Sequence, residues 1–279
     1  MFESVVGHEE EKNILKENIL KKSVSHAYLF SGTEGIGKKL LAREFAKVLL
    51  GTNNLETCID FKFIEKLEDK KDIIVEQIRE KLVNDVYISP ATSKYKVYII
   101  NDAHLMNVSC QNALLKTLEE PPEYTVIILI THLPQTLLST VLSRVNKITF
   151  KNLSNSDLDY ITNNLKGRIL DKDKRDYAAG SAKVALELIE DTDNNKYIKL
   201  DKFYNLYKNK DILEMTKLLD DISFKDDEVF NYLEYLYLKG NDYNKISLIE
   251  NARIRMGENA NELILKQALV IELIRKEQA

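Results

Sequence analysis

The sequence predicts an α/β protein in which a parallel β-sheet, covered by helices on both faces, is followed by a largely helical second half. In the first half, short runs of β-branched and aromatic residues alternate with helical stretches, and these runs are almost continuously apolar, as in strands buried on both faces. All four prolines lie before residue 135, so the second half lacks the strongest helix breaker. The expected strands are residues 27–31, 85–88, 97–100, 126–131 and 147–150.

The composition is that of a folded globular protein. Of 279 residues, 44% are apolar and 30% are charged, which excludes a disordered tail. The net charge of -4, from 40 basic and 44 acidic residues, excludes a generally basic nucleic-acid binder. Contact with DNA would therefore need a local basic patch or an associated subunit.

The lack of a recognisable targeting signal and the low cysteine content indicate an intracellular protein. The N-terminus lacks a secretory signal, and eighteen apolar residues nowhere run together, so a cytoplasmic location without membrane contact is expected. Cys58 and Cys110 are too few for a disulfide framework and lack the spaced partners of a zinc site. Both are interpreted as packing residues, and no metal ligand is predicted.

A glycine loop follows the first expected strand and precedes a helix. It contains Gly32, Gly35, Gly37 and Lys38. Strand, glycines, lysine and helix come in the order that a phosphate cradle requires, since glycines let backbone N–H groups surround an anion at a helix N-terminus. Two interpretations stay open: the loop is only a strand-to-helix turn, or it binds ATP or ADP weakly or without metal.

The groups that would hydrolyse a nucleotide are missing. Lys39 stands where a Ser or Thr hydroxyl would coordinate Mg²⁺, and Asp102 is followed by Ala103, where a carboxylate would orient the attacking water. Negligible hydrolysis is therefore predicted. His104 has no second ligand at a matching spacing and is interpreted as a surface or packing residue.

The second half begins with a helix-capping pattern, Ser154 and Asp157. Further on, apolar residues recur at helical spacing from Val229 to Tyr237. The final helix, within 263–274, is apolar around more than one stripe, so it is either a central core helix or a helix that also packs against other subunits.

With these motifs in place, the chain resembles the bacterial DNA polymerase III clamp-loader family within the AAA+ ATPases, and among its subunits the delta prime class. The resemblance covers nearly the whole chain. It depends on Val6-Gly7-His8, on the strand from His26 to Phe30, on Gln77-Ile78-Arg79, and above all on the run NALLKTLEEPP at 112–122. That last run predicts a helix over 109–118, ended by the paired prolines.

The resemblance implies roles for particular residues. Thr131 and His132 stand at the sensor position, and a helix around 137–142 leads to Ser143-Arg144-Val145, where the family has Ser-Arg-Cys. Arg144 is then an arginine finger for the ATP site of a neighbouring subunit, with Ser143 beside it. Lys183 stands where a hydrolysing subunit has its second sensor arginine. The four-cysteine zinc module of many relatives is missing between Leu50 and Asp60, so no zinc is expected.

The resemblance also implies an organisation and a function. An AAA+ nucleotide-binding domain over 1–152, a helical lid over 153–193 and a helical collar over 194–279 are expected. The chain would be a non-catalytic clamp-loader subunit, with gamma or tau and delta subunits, the β sliding clamp and primer-template DNA as partners. Lys116 is a candidate for contact with the DNA backbone. The alternatives are a catalytic gamma- or tau-like ATPase and a purely structural scaffold.

Overall fold

A computed structural model of the chain describes residues 1–190 and 195–275. The chain divides into two compact units. The first is Met1–Leu165 with Ala179–Val184, and the second is Lys166–Ala178 with Ala185–Ala279. The predicted domain boundary between residues 193 and 194 lies outside the described residues.

The first unit is built on a five-stranded parallel sheet. The strands are β1 (Ala27–Ser31), β2 (Phe61–Ile64), β3 (Lys96–Ile100), β4 (Thr125–Thr131) and β5 (Asn146–Thr149). Their spatial order is β2-β3-β4-β1-β5. In the centre, Ile128 of β4 is paired with Tyr28 of β1 and with Ile99 of β3. The carboxyl ends of β1, β3 and β4 therefore lie side by side, where open α/β sheets place their binding sites.

One predicted strand is wrong and one was missed. Residues 85–88 form a turn after the π-helical segment Arg79–Val83, with Val86 in the core and Asp85 accepting a hydrogen bond from the Tyr98 hydroxyl (2.7 Å). The strand that pairs with β3 on the side away from β4 is β2, in which Phe61 lies opposite Val97. The other four predicted strands are confirmed to within one residue at each end.

Helices cover both faces of the sheet. They are α1 (Glu9–Leu20), α2 (Lys38–Leu50), α3 (Val75–Ile78), α4 (Val108–Glu119), α5 (Ser139–Leu142) and α6 (Asn155–Lys166), the last crossing from the first unit into the second. On one face, Tyr28 and Phe30 pack with Phe45 of α2. On the other, Leu29 and Ile127 pack with Leu114 of α4. Neighbouring strand residues thus enter two different cores, which explains why β1, β3 and β4 are buried along their whole length and are largely apolar.

The helix predictions are largely confirmed. The helix expected over 109–118 is α4, one residue longer at each end. Only the second part of 137–142 is α-helical, as α5. At the start of α6, the Asp157 amide donates to Ser154 Oγ (3.1 Å) and the Ser154 amide donates back to Asp157 Oδ2 (3.1 Å), which is the predicted capping box.

The second unit is helical throughout its described residues. Its helices are α7 (Lys172–Ala178), α8 (Ala182–Leu188, which begins in the first unit), α9 (Lys196–Asn209), α10 (Ile212–Asp220), α11 (Asp227–Lys239), α12 (Ile246–Gly257) and α13 (Glu262–Ile274). The predicted apolar face of α11 is buried, from Val229 to Tyr237. None of the described helices has the length and apolarity needed to cross a bilayer.

The final helix, α13, is buried on one face only. Leu265, Leu269, Val270 and Leu273 are in the core, whereas Leu263, Ile264 and Ile271 are exposed. The alternative of a central core helix is therefore wrong within this chain.

Candidate functional site

The glycine loop has the backbone shape of a phosphate cradle. It connects β1 to α2, and Gly35 (φ +77°) and Gly37 (φ +103°) both adopt left-handed conformations. A Cβ atom on Gly35 would lie 2.5 Å from Lys183 Cβ and closer still to Ser181 Oγ, so the loop can approach that segment only with glycine here. His8 completes the support of the loop, since its Nε2 lies 2.6 Å from the Ile36 carbonyl oxygen.

Lys38 is folded back onto its own loop. The buried ammonium group donates to the carbonyl oxygens of Gly32 (2.6 Å) and Thr33 (2.5 Å). Burial lowers the pKa of Lys38 to about 8, against the opposing effect of the Glu34 and Asp102 carboxylates. A lysine that is charged at neutral pH therefore lies at the predicted phosphate position, held by the loop itself.

The side chain of Lys39 is directed toward the edge strand β2. Its ammonium group lies 3.4 Å from Glu65 Oε2 and 4.6 Å from the centroid of the Phe63 ring. The backbone of the loop is thus preserved, but the position of the metal-binding hydroxyl is occupied by a cation. The residues present do not fit the magnesium site of this loop type.

An open cleft of about 490 Å³ lies beside the loop. Its lining includes Gly35, Lys38 and Lys39 from the loop and Asn101 and Asp102 from the end of β3. Asp102 Oδ2 accepts a hydrogen bond from Asn101 Nδ2 (2.8 Å). Ala103 follows directly and is completely buried, so no side chain at this position could orient a water molecule.

The segment around Lys183 packs on the phosphate loop. Lys183 Nζ lies 2.7 Å from Glu34 Oε1, Ser181 Oγ donates to the Glu34 carbonyl oxygen (2.9 Å), and the Lys183 amide donates to the Gly35 carbonyl oxygen (3.2 Å). The hydrogen bond from Lys183 lowers the pKa of Glu34. The structure therefore brings Lys183 to the loop, where its ammonium group forms an ion pair with the Glu34 carboxylate of the loop.

Arg144 lies apart from the cleft residues, just after α5. Its Nη1 donates to the Thr140 carbonyl oxygen (2.8 Å) and lies 3.1 Å from Ser143 Oγ, and its Nη2 lies 2.8 Å from Glu119 Oε1. The side chain is 34% exposed. A guanidinium group is thus held near the surface by α4 and α5.

Gln111 is a supporting residue that the sequence analysis missed. It is buried on α4, where its side-chain amide nitrogen, Nε2, donates to the Met106 carbonyl oxygen (2.9 Å) and to the Thr136 carbonyl oxygen (3.3 Å). Its Oε1 accepts from the Leu138 amide (2.7 Å). Gln111 therefore fixes the chain that leads from β4 into α5 and Arg144. A glutamine at an otherwise apolar helix position is the signal that could have identified it.

His132, at the predicted sensor position, lies next to His104. The ring centroids of His104 and His132 are 4.2 Å apart, and the Thr131 hydroxyl lies 3.4 Å from His104 Nδ1. Burial, followed by the effect of His132, lowers the pKa of His104. His104 thus has a neighbour that its sequence spacing did not reveal.

The remaining candidates lie away from this cleft. Lys116 is exposed on α4. Cys110 is buried, with its thiol donating to the Ile73 carbonyl oxygen (3.0 Å), and Cys58 is half-buried at the edge of a core; both are free thiols.

Comparisons with known proteins agree with this geometry. Residues 7–154 match a family model described as "DNA polymerase III, delta subunit". The chain is 36% identical over 166 residues to DNA polymerase III subunit tau of Bacillus subtilis, covering 55% of this chain and 29% of that protein. It is 32% identical over 212 residues to the gamma subunit of Buchnera aphidicola, covering 68% of this chain and 57% of that protein.

A solved structure shows the same fold over almost the whole chain. A DNA polymerase III, gamma subunit-related protein from Thermotoga maritima superposes with a TM-score of 0.62 at 19% identity, covering 94% of this chain and 98% of that one. The match with this chain spans 29% of the length of the Bacillus subtilis tau subunit and 57% of the length of the Buchnera aphidicola gamma subunit. With the family model covering more than half of the sequence, the chain belongs to the DNA polymerase III clamp-loader family, and it shares the α/β fold of the Thermotoga maritima protein.

Proposed function

We propose that the chain is a non-catalytic clamp-loader subunit of the delta prime class, which supplies Arg144 to the ATP site of a neighbouring subunit. The observation that carries this proposal is the chemistry of the cleft: Lys39 at the position of the metal-binding hydroxyl and a buried Ala103 at the position of the base. Each part of a phosphoryl-transfer site commonly contributes orders of magnitude in rate, so a site without both is a poor catalyst.

Arg144 is suited to act on another molecule. Its guanidinium group is always charged and offers forked donors that match phosphate oxygens. The contacts to Glu119 and Thr140 lie at the surface, and a half-exposed ion pair is worth only about 0–1 kcal/mol. A phosphate on a neighbouring subunit can therefore compete for the guanidinium at little cost.

In the proposed complex, the partners are gamma or tau and delta subunits, and the assembly loads the β sliding clamp onto primer-template DNA. DNA contact is made by the assembled loader, because this chain is acidic overall. Lys116 and the exposed apolar residues of α13 are then candidate contacts to DNA and to other subunits respectively. The proposed domains are those of the sequence analysis: 1–152, a lid over 153–193 and a collar over 194–279.

A catalytic gamma- or tau-like subunit is the second candidate, favoured by the names of the relatives. Under that hypothesis the purified chain releases phosphate from ATP in the presence of Mg²⁺. Under our proposal it does not. Titration of the chain with ATP and ADP, with and without Mg²⁺, separates an empty loop from a loop that holds nucleotide without metal.

The finger is tested in a loader reconstituted from this chain with gamma or tau and delta subunits. We expect Arg144→Ala to lower the ATPase stimulated by clamp and primed DNA by at least tenfold, with assembly unchanged in gel filtration. Lys147→Ala, an exposed cation three residues further along the chain, is the control and should leave turnover unchanged. Undiminished turnover in the Arg144→Ala loader would favour the pure scaffold.

A further inference from the structure

Three potential metal ligands meet at the carboxyl ends of two neighbouring strands. Asp102 and His104 follow β3, and His132 follows β4. The two strands are parallel and in register, with Ile100 opposite Leu129, so the residues after them leave the sheet at the same edge. Residues that are 28 positions apart in the sequence therefore become neighbours.

The three side chains are close enough to share one ion. Their ligand atoms all lie within 4.8 Å of one another. Around a tetrahedral Zn²⁺, with ligand bonds of about 2.0–2.2 Å, ligand atoms stand roughly 3.4 Å apart. Small rotations of these half-buried side chains would bring their ligand atoms to the spacing found around Zn²⁺.

Neighbouring residues hold two of the ligands in place. The Thr131 hydroxyl lies 3.4 Å from His104 Nδ1, and Asn101 Nδ2 donates to Asp102 Oδ2 (2.8 Å). Hydrogen bonds of this kind, from neighbouring residues to the ligating side chains, orient the ligands of metal sites and fix the tautomer of a histidine. Here they leave His104 Nε2 and Asp102 Oδ1 without a hydrogen bond to protein among those described.

We propose that Asp102, His104 and His132 form a binding site for a divalent transition-metal ion of the Zn²⁺ type. Imidazole ligands suit Zn²⁺, Ni²⁺ and Cu²⁺, whereas Mg²⁺ and Ca²⁺ prefer an all-oxygen shell. Two histidines and one carboxylate leave coordination positions for water or a phosphate oxygen. The site shares Asp102 with the cleft beside the glycine loop. It uses neither the hydroxyl missing at Lys39 nor Arg144, so a test of metal binding to the chain alone does not depend on the proposed function.

Metal binding can be located directly by NMR of the histidine side chains. The chain has four histidines, and His8 and His26 serve as internal controls. In the full chain, titration with Zn²⁺ should shift the imidazole nitrogen resonances of His104 and His132 together, saturating at one ion per chain. Shifts confined to His8 or His26, or no shift at all, would overturn the proposal.

Affinity measurements on variants give a second readout. Co²⁺ should produce a visible d–d absorption band on binding, and Zn²⁺ should displace it. We expect His132→Asn and His104→Asn each to weaken Co²⁺ binding at least tenfold, and His26→Asn and Cys58→Ser to leave it unchanged. Circular dichroism identifies any variant that does not fold. The two histidines follow different strands and therefore test the same site separately. Binding that survives both histidine substitutions, or that is lost in Cys58→Ser, contradicts the assignment.

Discussion

Arg144 Nη2 lies 2.8 Å from Glu119 Oε1, so the candidate finger is paired with the glutamate that ends α4. Glu119 belongs to the run over 112–122 that carries most of the family resemblance. The last turn of the helix that this run forms therefore holds the guanidinium group, and Gln111, directly before the run on the same helix, holds the chain that leads to Arg144.

The first prediction concerns this ion pair. Because both side chains are partly exposed, at 34% and 49%, Glu119→Gln should change the free energy of unfolding by less than about 1 kcal/mol. In the reconstituted loader it should retain most of the ATPase that Arg144→Ala loses. Glu120→Gln, on the neighbouring exposed residue, is the control. A loss as large as that of Arg144→Ala would mean that the pair, and not the guanidinium alone, is required.

The second prediction concerns Gln111. Gln111→Met keeps the volume of the side chain but removes the partners of the Met106 and Thr136 carbonyl groups and of the Leu138 amide. Leaving the buried Met106 carbonyl group and the half-buried Leu138 amide unpaired should destabilise the chain by about 2 kcal/mol, measured as a lower denaturant midpoint. Asn112→Met, on the exposed side of the same helix, should stay within roughly 0.5 kcal/mol. Equal midpoints for the two variants would show that Gln111 has no such supporting role.

The third prediction concerns pH. Asp60 is buried, and its carboxylate accepts hydrogen bonds from the Ala91, Thr92 and Ser93 amides (2.7–2.9 Å) and from the Thr92 hydroxyl (3.0 Å). Burial opposes ionisation, but these hydrogen bonds outweigh it and hold the pKa of Asp60 below its ordinary value of 3.8. Below pH 3.8 the unfolded chain therefore binds a proton that the folded chain still excludes.

The stabilisation from Asp60 is thus complete above pH 3.8 and is lost as the pH falls through the lower pKa of the folded state. Asp60→Asn should be less stable than the natural chain at pH 6, and the difference in unfolding free energy should shrink steadily below pH 3.8. Chemical denaturation at several pH values measures this difference. Asp72→Asn, an exposed residue, should show no such trend, and a constant difference for Asp60→Asn would contradict the assignment.

The fourth prediction concerns the missing metal ligand. Lys39→Thr places a hydroxyl at the start of α2, on the cleft that also contains Asp102. We expect ATP binding to this variant to become tighter in Mg²⁺ than in EDTA, measured by calorimetry. Lys39→Val has the same shape without the hydroxyl and should show no dependence on Mg²⁺. Identical behaviour of the two variants would mean that Asp102 is not placed to share the metal. Neither variant should hydrolyse ATP, since Ala103 is unchanged.

Much of the fold could be predicted from local patterns. The central strands β1, β3 and β4 and the helix α4 were predicted from their local apolar patterns, and Ser154 with Asp157 caps a helix through contacts three residues apart. The error at residues 85–88 has a physical cause, because a preference for strands is realised only where the side chains pack in a sheet, and here Val86 is buried whereas Tyr87 and Ile88 are exposed. The missed strand β2 lies at the sheet edge and depends on its pairing with β3, which no local pattern encodes.

The sequence by itself determined the chemistry that this chain lacks. A lysine at position 39 and an alanine at position 103 have no hydroxyl or carboxylate in any fold, so the absence of these two groups follows from residue identity. Tertiary structure alone decided which groups meet. The pairing of Arg144 with Glu119, of Lys183 with Glu34, and of His104 with His132 joins residues 25 to 149 positions apart. Their proximity arises from the packing of α4 against α5, from the packing of residues 181–183 on the glycine loop, and from the parallel register of the strands. Contacts between distant segments are set by the whole core and not by any one stretch of chain.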